Sequence, residues 1–214
     1  MISYSPFIVY DLETGGLDEN KNPILELAFI VVLKDDKGDL YIDEGYSFES
    51  LVLPYNKDLI ITSEALKVNK ITMKELNEDG NDVENIKEVI LDLVKELNPK
   101  NNERYRPILV GHNIQGFDNK FLEKFFENIG LPPLYNLFDK GCIDTYKIAK
   151  FLFEGKNLLS SLNLKSMCQY FGIEIKNHHR AYDDAMANAI LFIKLNKMAD
   201  VRRKEILEFI VKII

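Results

Sequence analysis

Two acids one residue apart, Asp11 and Glu13, close the apolar stretch that begins at Phe7. If residues 7–13 form a strand, side chains alternate, so Phe7, Val9, Asp11 and Glu13 share one face and Ile8, Tyr10 and Leu12 the other. An isolated Asp-x-Glu would merely mark a strand running out into a loop, because carboxylates are mostly exposed. Two further acids change that reading. In the helix expected over 117–129, Asp118 falls in register with Leu122, Phe125 and Ile129; in the helix expected over 181–197, Asp184 falls in register with Asn188, Leu191 and Leu195. Both therefore belong to inward faces. A buried, unpaired carboxylate is costly, and the usual remedies are an ion pair or a metal. The chain has five arginines, and Arg180 is the one beside Asp184 in sequence. Four inward acids are explained better by hard divalent cations with oxygen ligands than by four separate ion pairs.

A histidine completes the constellation. His179 precedes Asp184 by five residues, and an imidazole beside a metal-binding carboxylate can accept a proton from a metal-bound water near neutral pH. His178 stands equally far before Asp183, so spacing alone leaves two frames. The Ala-x-x-Asp context, with Ala181 two residues after His179, favours His179.

The elements that must position these groups can be read from periodicity and turn signals. Segments 7–13, 24–33 and 40–53 are rich in Ile, Val, Phe and Tyr and read as three consecutive strands. Helical spacing follows over 62–68 and 82–97, then a fourth strand at 107–111 and a helix over 117–129 closed by Gly130. A short strand is expected before Asp144, with helices over 145–153, 162–171 and 181–197 and a last amphipathic segment over 201–214. Strands first and alternation after predict an α/β mixed sheet, antiparallel then parallel, covered by helices. The expected division is a main domain over 1–198 and a C-terminal amphipathic helix over 199–214 packed on it or free to dock elsewhere through Ile206, Phe209, Ile210, Ile213 and Ile214.

Composition narrows the function classes. Over 214 residues, 27 Lys+Arg against 34 Asp+Glu leave a net charge of −7, which argues against coating long duplex through many phosphate contacts. It leaves room for an enzyme that holds only a strand end. Cys142 and Cys168 lack Cys-x-x-Cys spacing and read as reduced thiols. Met1–Pro6 lacks a basic leader region and no apolar run approaches about 20 residues, so a soluble cytoplasmic protein with no membrane partner is expected. No Gly-x-x-x-x-Gly-Lys-[Ser/Thr] occurs, which removes a P-loop kinase or ATPase.

Three segments, Tyr10–Leu17 (YDLETGGL), Val110–Asp118 (VGHNIQGFD) and His179–Ala185 (HRAYDDA), resemble in order the motifs of the DEDDh, or DnaQ-like, exonucleases, the group that includes epsilon-type proofreading subunits. The resemblance covers Phe7–Lys197. It implies a ribonuclease H-like sheet, with Asp11, Glu13, Asp118 and Asp184 as ligands of two Mg²⁺ or Mn²⁺ ions, Asp11 bridging them, and His179 with Glu13 as the catalytic pair. Arg180 occupies the place of the tyrosine in the tyrosine subtype, so the histidine subtype is the match. The implied activity is 3′–5′ hydrolysis of single-stranded DNA or RNA to nucleoside 5′-monophosphates, with a polymerase as a further partner in the proofreading case. Thr14, Gly15, Asn113 and Phe117 match positions that meet the terminal nucleotide. Two departures stand out: Gly15 replaces a frequent second Thr, and the second motif is one residue longer than in many members, as in some single-strand-specific bacterial exonucleases. The competing reading is a catalytically idle module of the same fold that binds nucleic acid or protein; the intact acids and His179 weigh against it. Asp144 reads as a helix cap, Phe121, Phe125 and Phe126 as packing, and Lys120, Lys124, Lys156 and Lys165 as candidates to meet phosphates.

Overall fold

The computed structural model describes residues 4–153 and 159–213, without the side chains of 202 and 204–213. Strands β1 (Phe7–Thr14), β2 (Ile24–Lys34) and β3 (Leu40–Leu51) pair antiparallel. Strands β4 (Ile108–Gly111) and β5 (Ile143–Asp144) extend the sheet in parallel on the other side of β1, giving the order β3-β2-β1-β4-β5. This is the mixed sheet that the sequence predicts. Around it lie α1 (Ser63–Asn69), α2 (Met73–Asp79), α3 (Val83–Leu97), α4 (Asp118–Asn128), α5 (Leu134–Leu137), α6 (Thr145–Phe153), α7 (Leu164–Phe171) and α8 (Ala181–Ile213).

Alternation along β1 sorts the two layers. Ile8, Tyr10 and Leu12 join Ile90 of α3 and Leu122, Phe125 and Phe126 of α4 in one core, which confirms the phenylalanines as packing. Val9 joins Ala28 and Ile30 of β2 and Ala181, Ala185 and Ala189 of α8 in another. Three alanines four residues apart let α8 lie close against the sheet. Its next face, Ala187, Leu191 and Leu195, packs on Ala149, Leu152 and Met167 of α6 and α7. The face of β1 that carries Asp11 and Glu13 is therefore the one α8 covers.

Three elements differ from the expectation. Helix α2 escaped periodicity because it is seven residues long and buries only Leu76; a capping box nucleates it, Thr72 Oγ1 accepting the Glu75 N–H at 3.1 Å and Glu75 Oε2 accepting the Thr72 N–H at 3.3 Å. Helix α5, four residues, is too short for any period. The segments expected over 181–197 and 201–214 form one helix, since no Gly or Pro interrupts residues 198–213. The side chains of Ile206, Phe209, Ile210 and Ile213, together with Ile214 and Lys156, lie outside the described residues. Both cysteines are free, and among the described residues no helix is long and apolar enough to cross a membrane.

Candidate metal centre

Parallel strands present their C-terminal ends at one edge, where ligands bind in open α/β sheets. Here β1 delivers Asp11 and Glu13 to that edge, the segment after β4 delivers Asp118, and the first turn of α8 delivers Asp184. Ligating atoms of Asp11, Glu13 and Asp184 all lie within 4.8 Å of one another. Asp118 lies outside that tight group, yet of all charges it is the one that acts most strongly on Asp11.

The electrostatics are those of crowded anions that Arg180 offsets only in part. Burial, then Asp118, Glu13, Asp184 and Glu26, raise Asp11 well above the ordinary carboxylate range. Burial and the neighbouring Glu26, Asp184 and Asp118 push Glu13 up to about 8, with Arg180 offsetting part of the rise. Burial also pushes Asp118 up to about 7, against the pull of its own backbone N–H. Converging, repelled carboxylate oxygens fit a divalent cation, which would supply the missing charge.

A stability prediction follows. Folded-state values raised above the unfolded ones mean that the native metal-free chain holds more protons, so its stability falls as pH rises from about 4.5 to about 8. Thermal unfolding in EDTA should show a midpoint that drops across this range, and excess Mg²⁺ should raise the midpoint more at pH 8 than at pH 5.5. A midpoint rise with Mg²⁺ that is the same at both pH values would contradict the assignment.

Both histidines face Asp184. His178 Nδ1 lies 3.0 Å from each Asp184 carboxylate oxygen, the His179 backbone N–H donates to Asp184 Oδ2 at 3.1 Å, and the two rings stack with centroids 4.1 Å apart. His179 sits at φ 69°, a left-handed conformation a non-glycine residue adopts only when its surroundings hold it. Burial and His178 lower the His179 pKa, against the opposing pull of Asp184. The His178 contact was not anticipated: its spacing pairs it with Asp183, whereas that carboxylate accepts from Asn177 Nδ2 at 2.9 Å.

The four substrate-binding candidates separate. Thr14 and Phe117 line a cavity of ≈ 590 Å³ walled also by Leu12, Glu13, Leu17 and Val68. Asn113 lines a different one of ≈ 540 Å³, with His112, Tyr146 and Ser161. Gly15 lines neither: its N–H donates to the Pro23 carbonyl at 2.8 Å and its carbonyl accepts from Thr62 N–H at 2.7 Å. A Cβ there would stand 2.9 Å from Pro23 Cδ and 3.3 Å from the Ile61 backbone, so close packing of three loops requires glycine where a threonine is frequent. The longer second motif is accommodated by a 3₁₀ turn over Ile114–Gly116 that buries Ile114, entered through Asn113 at φ 63°. Asp144 Oδ1 accepts from Tyr146 N–H at 3.0 Å at the start of α6, as a capping acid should, and from Asn113 N–H at 2.8 Å, which anchors that left-handed residue. His112 joins the same support, Nε2–H donating to the Leu162 carbonyl and Nδ1 lying 2.9 Å from Thr145 Oγ1. Of the lysines expected to meet phosphates, Lys124 is paired with Glu127 at 2.8 Å.

Sequence reasoning missed Glu26. It lies opposite Glu13 across the β1–β2 ladder, 3% exposed, and accepts a bidentate pair from Arg180. A lone carboxylate in a strand whose residues 24–33 are all buried was the available signal.

The chain matches the model of the exonuclease family of the RNase T type over residues 8–192. It is 32% identical over 202 residues to the PolC-type DNA polymerase III of Halalkalibacterium halodurans, covering 92% of this chain and 12% of that protein. Over 190 residues it is 30% identical to the PolC-type enzyme of Oceanobacillus iheyensis, covering 88% and 11%. The chain thus spans about a tenth of the length of these curated relatives. Its fold is similar to that of E. coli exonuclease I in complex with a dA16 oligonucleotide, with a TM-score of 0.70 and 19% identity over 96% of this chain and 42% of the other.

Proposed function

Because the chain belongs to the RNase T exonuclease family, we propose that it is a divalent-metal-dependent 3′–5′ exonuclease that acts on single-stranded DNA and releases nucleoside 5′-monophosphates. The observation that carries this reading is the convergence of Asp11, Glu13 and Asp184 within 4.8 Å, with His178 and His179 against Asp184. The oligonucleotide held by the exonuclease I neighbour supports a single strand as substrate, and the polymerase relatives support proofreading as the setting.

Asp11, Glu13, Asp118 and Asp184 would hold two Mg²⁺ or Mn²⁺ ions. Bound there, the ions supply activation of water and stabilisation of charge on the leaving oxygen. The chain's own residues do the rest. His179, whose pKa burial lowers, takes the proton of the attacking water at its ring nitrogen. Its backbone N–H and the His178 ring hold Asp184 in one orientation. The cavity beside Glu13 presents Leu12, Leu17, Val68 and Phe117 as apolar walls for the terminal base.

Digestion of matched 5′-labelled DNA and RNA oligonucleotides with Mg²⁺, Mn²⁺ or EDTA tests the reading. A metal-dependent ladder shortening from the 3′ end is expected, with DNA the better substrate. Cleavage that survives EDTA, or no cleavage of either strand with metal bound, would refute it; faster loss of RNA would reassign the sugar.

A further inference from the structure

Glu26 is held from three directions. Arg180 Nε lies 3.0 and 3.2 Å from its two oxygens, Arg180 Nη2 donates at 2.7 Å, and the Ala181 backbone N–H donates at 2.9 Å. Arg180 Nη1 meanwhile reaches Glu75 Oε1 of α2 at 3.1 Å. Arg180 is the residue after His179, and Ala181 is the first residue of α8, three before Asp184. A guanidinium fork on a carboxylate fixes orientation as well as distance. The Ala181 N–H is one of the donors that a helix start leaves unsatisfied, so a strand residue 155 positions away caps α8.

We propose that Glu26 is a positioning residue of this site. Through Arg180 and Ala181 it fixes the turn carrying His179 and the helix start carrying Asp184. This rests on the roles given above to His179 and the four acids.

The test compares the full chain with Glu26→Gln, Arg180→Gln and the double variant. Readouts are Mn²⁺ affinity by calorimetry, histidine ring resonances of the metal-free protein, and kcat and KM on a labelled oligonucleotide. Glu26→Gln should weaken Mn²⁺ binding by about 10- to 100-fold, the range for groups that support metal ligands. Adding Arg180→Gln should not deepen that loss, because Glu26 acts through Arg180. The kcat should fall by about 10²-fold in all three, with KM held and without additivity in the double variant. The His179 resonances should move in each. Wild-type Mn²⁺ affinity in Glu26→Gln, a double variant that binds more weakly still, or unmoved ring resonances would overturn the proposal. Should Glu26→Gln not fold, Arg180→Lys keeps the charge and loses the fork: reduced kcat with KM held supports the role, and full activity overturns it. A wild type that cleaves nothing would count against the proposed function alone, since the Mn²⁺ affinities and ring resonances decide this inference separately.

Discussion

Asp11→Asn should lower exonuclease turnover by at least about 10³-fold, equivalent to roughly 4 kcal/mol of transition-state stabilisation, while making the metal-free chain harder to unfold at pH 8. The two effects have one cause. Asp11 is the acid on which Asp118, Glu13, Asp184 and Glu26 all press, so removing its charge relieves repulsion from four sides. The same deletion removes one of the carboxylates that would hold the ions. A structural acid would behave oppositely, losing stability with the charge, and a site kept in tension for function is expected to gain it. The paired measurement is turnover on a labelled oligonucleotide beside thermal unfolding in EDTA. A variant that loses both activity and its folded state would show that Asp11 serves the fold.

His179→Ala should cut kcat by about 10²- to 10⁴-fold, the range for removal of a general base, and leave metal affinity unchanged. His178→Ala should do the reverse in kind: its ring, 3.0 Å from both Asp184 oxygens, holds a ligand acid, so its loss weakens metal binding and lowers turnover less. The stacked rings make the pair separable only by function. Measuring kcat and Mn²⁺ affinity for both variants divides the roles. A larger kcat loss in His178→Ala with metal affinity intact would move the base to His178.

Much of this site is legible in the sequence because inward acids violate a periodicity that is otherwise apolar. Asp184 and Asn188 are buried together with Leu191 and Leu195, as the helical register requires, and β1 alternates as its spacing predicts. What escaped depends on partners distant in sequence. Glu26 reads as an oddity inside an apolar strand because its counter-charge, Arg180, lies 154 residues away. Arg180 reads as a candidate partner for Asp184, yet it turns to Glu26 and Glu75. The separation of Asn113 from Thr14 into two cavities depends on the turn after β4, whose path no pattern of residue types encodes. Helix α2 shows the complementary limit: its capping box is local and readable, but one buried leucine gives no stripe to count.

Titration of the metal-free chain with Mn²⁺, following the free ion by electron paramagnetic resonance, tests the central claim most directly because it needs no assumed substrate. The wild type should bind Mn²⁺ saturably and more tightly at pH 8 than at pH 6, as acids raised to about 7 and about 8 lose their protons, and Asp11→Asn and Asp184→Asn should each abolish or sharply weaken that binding. Equal binding by the wild type and both variants would contradict the assignment of these carboxylates as the metal centre.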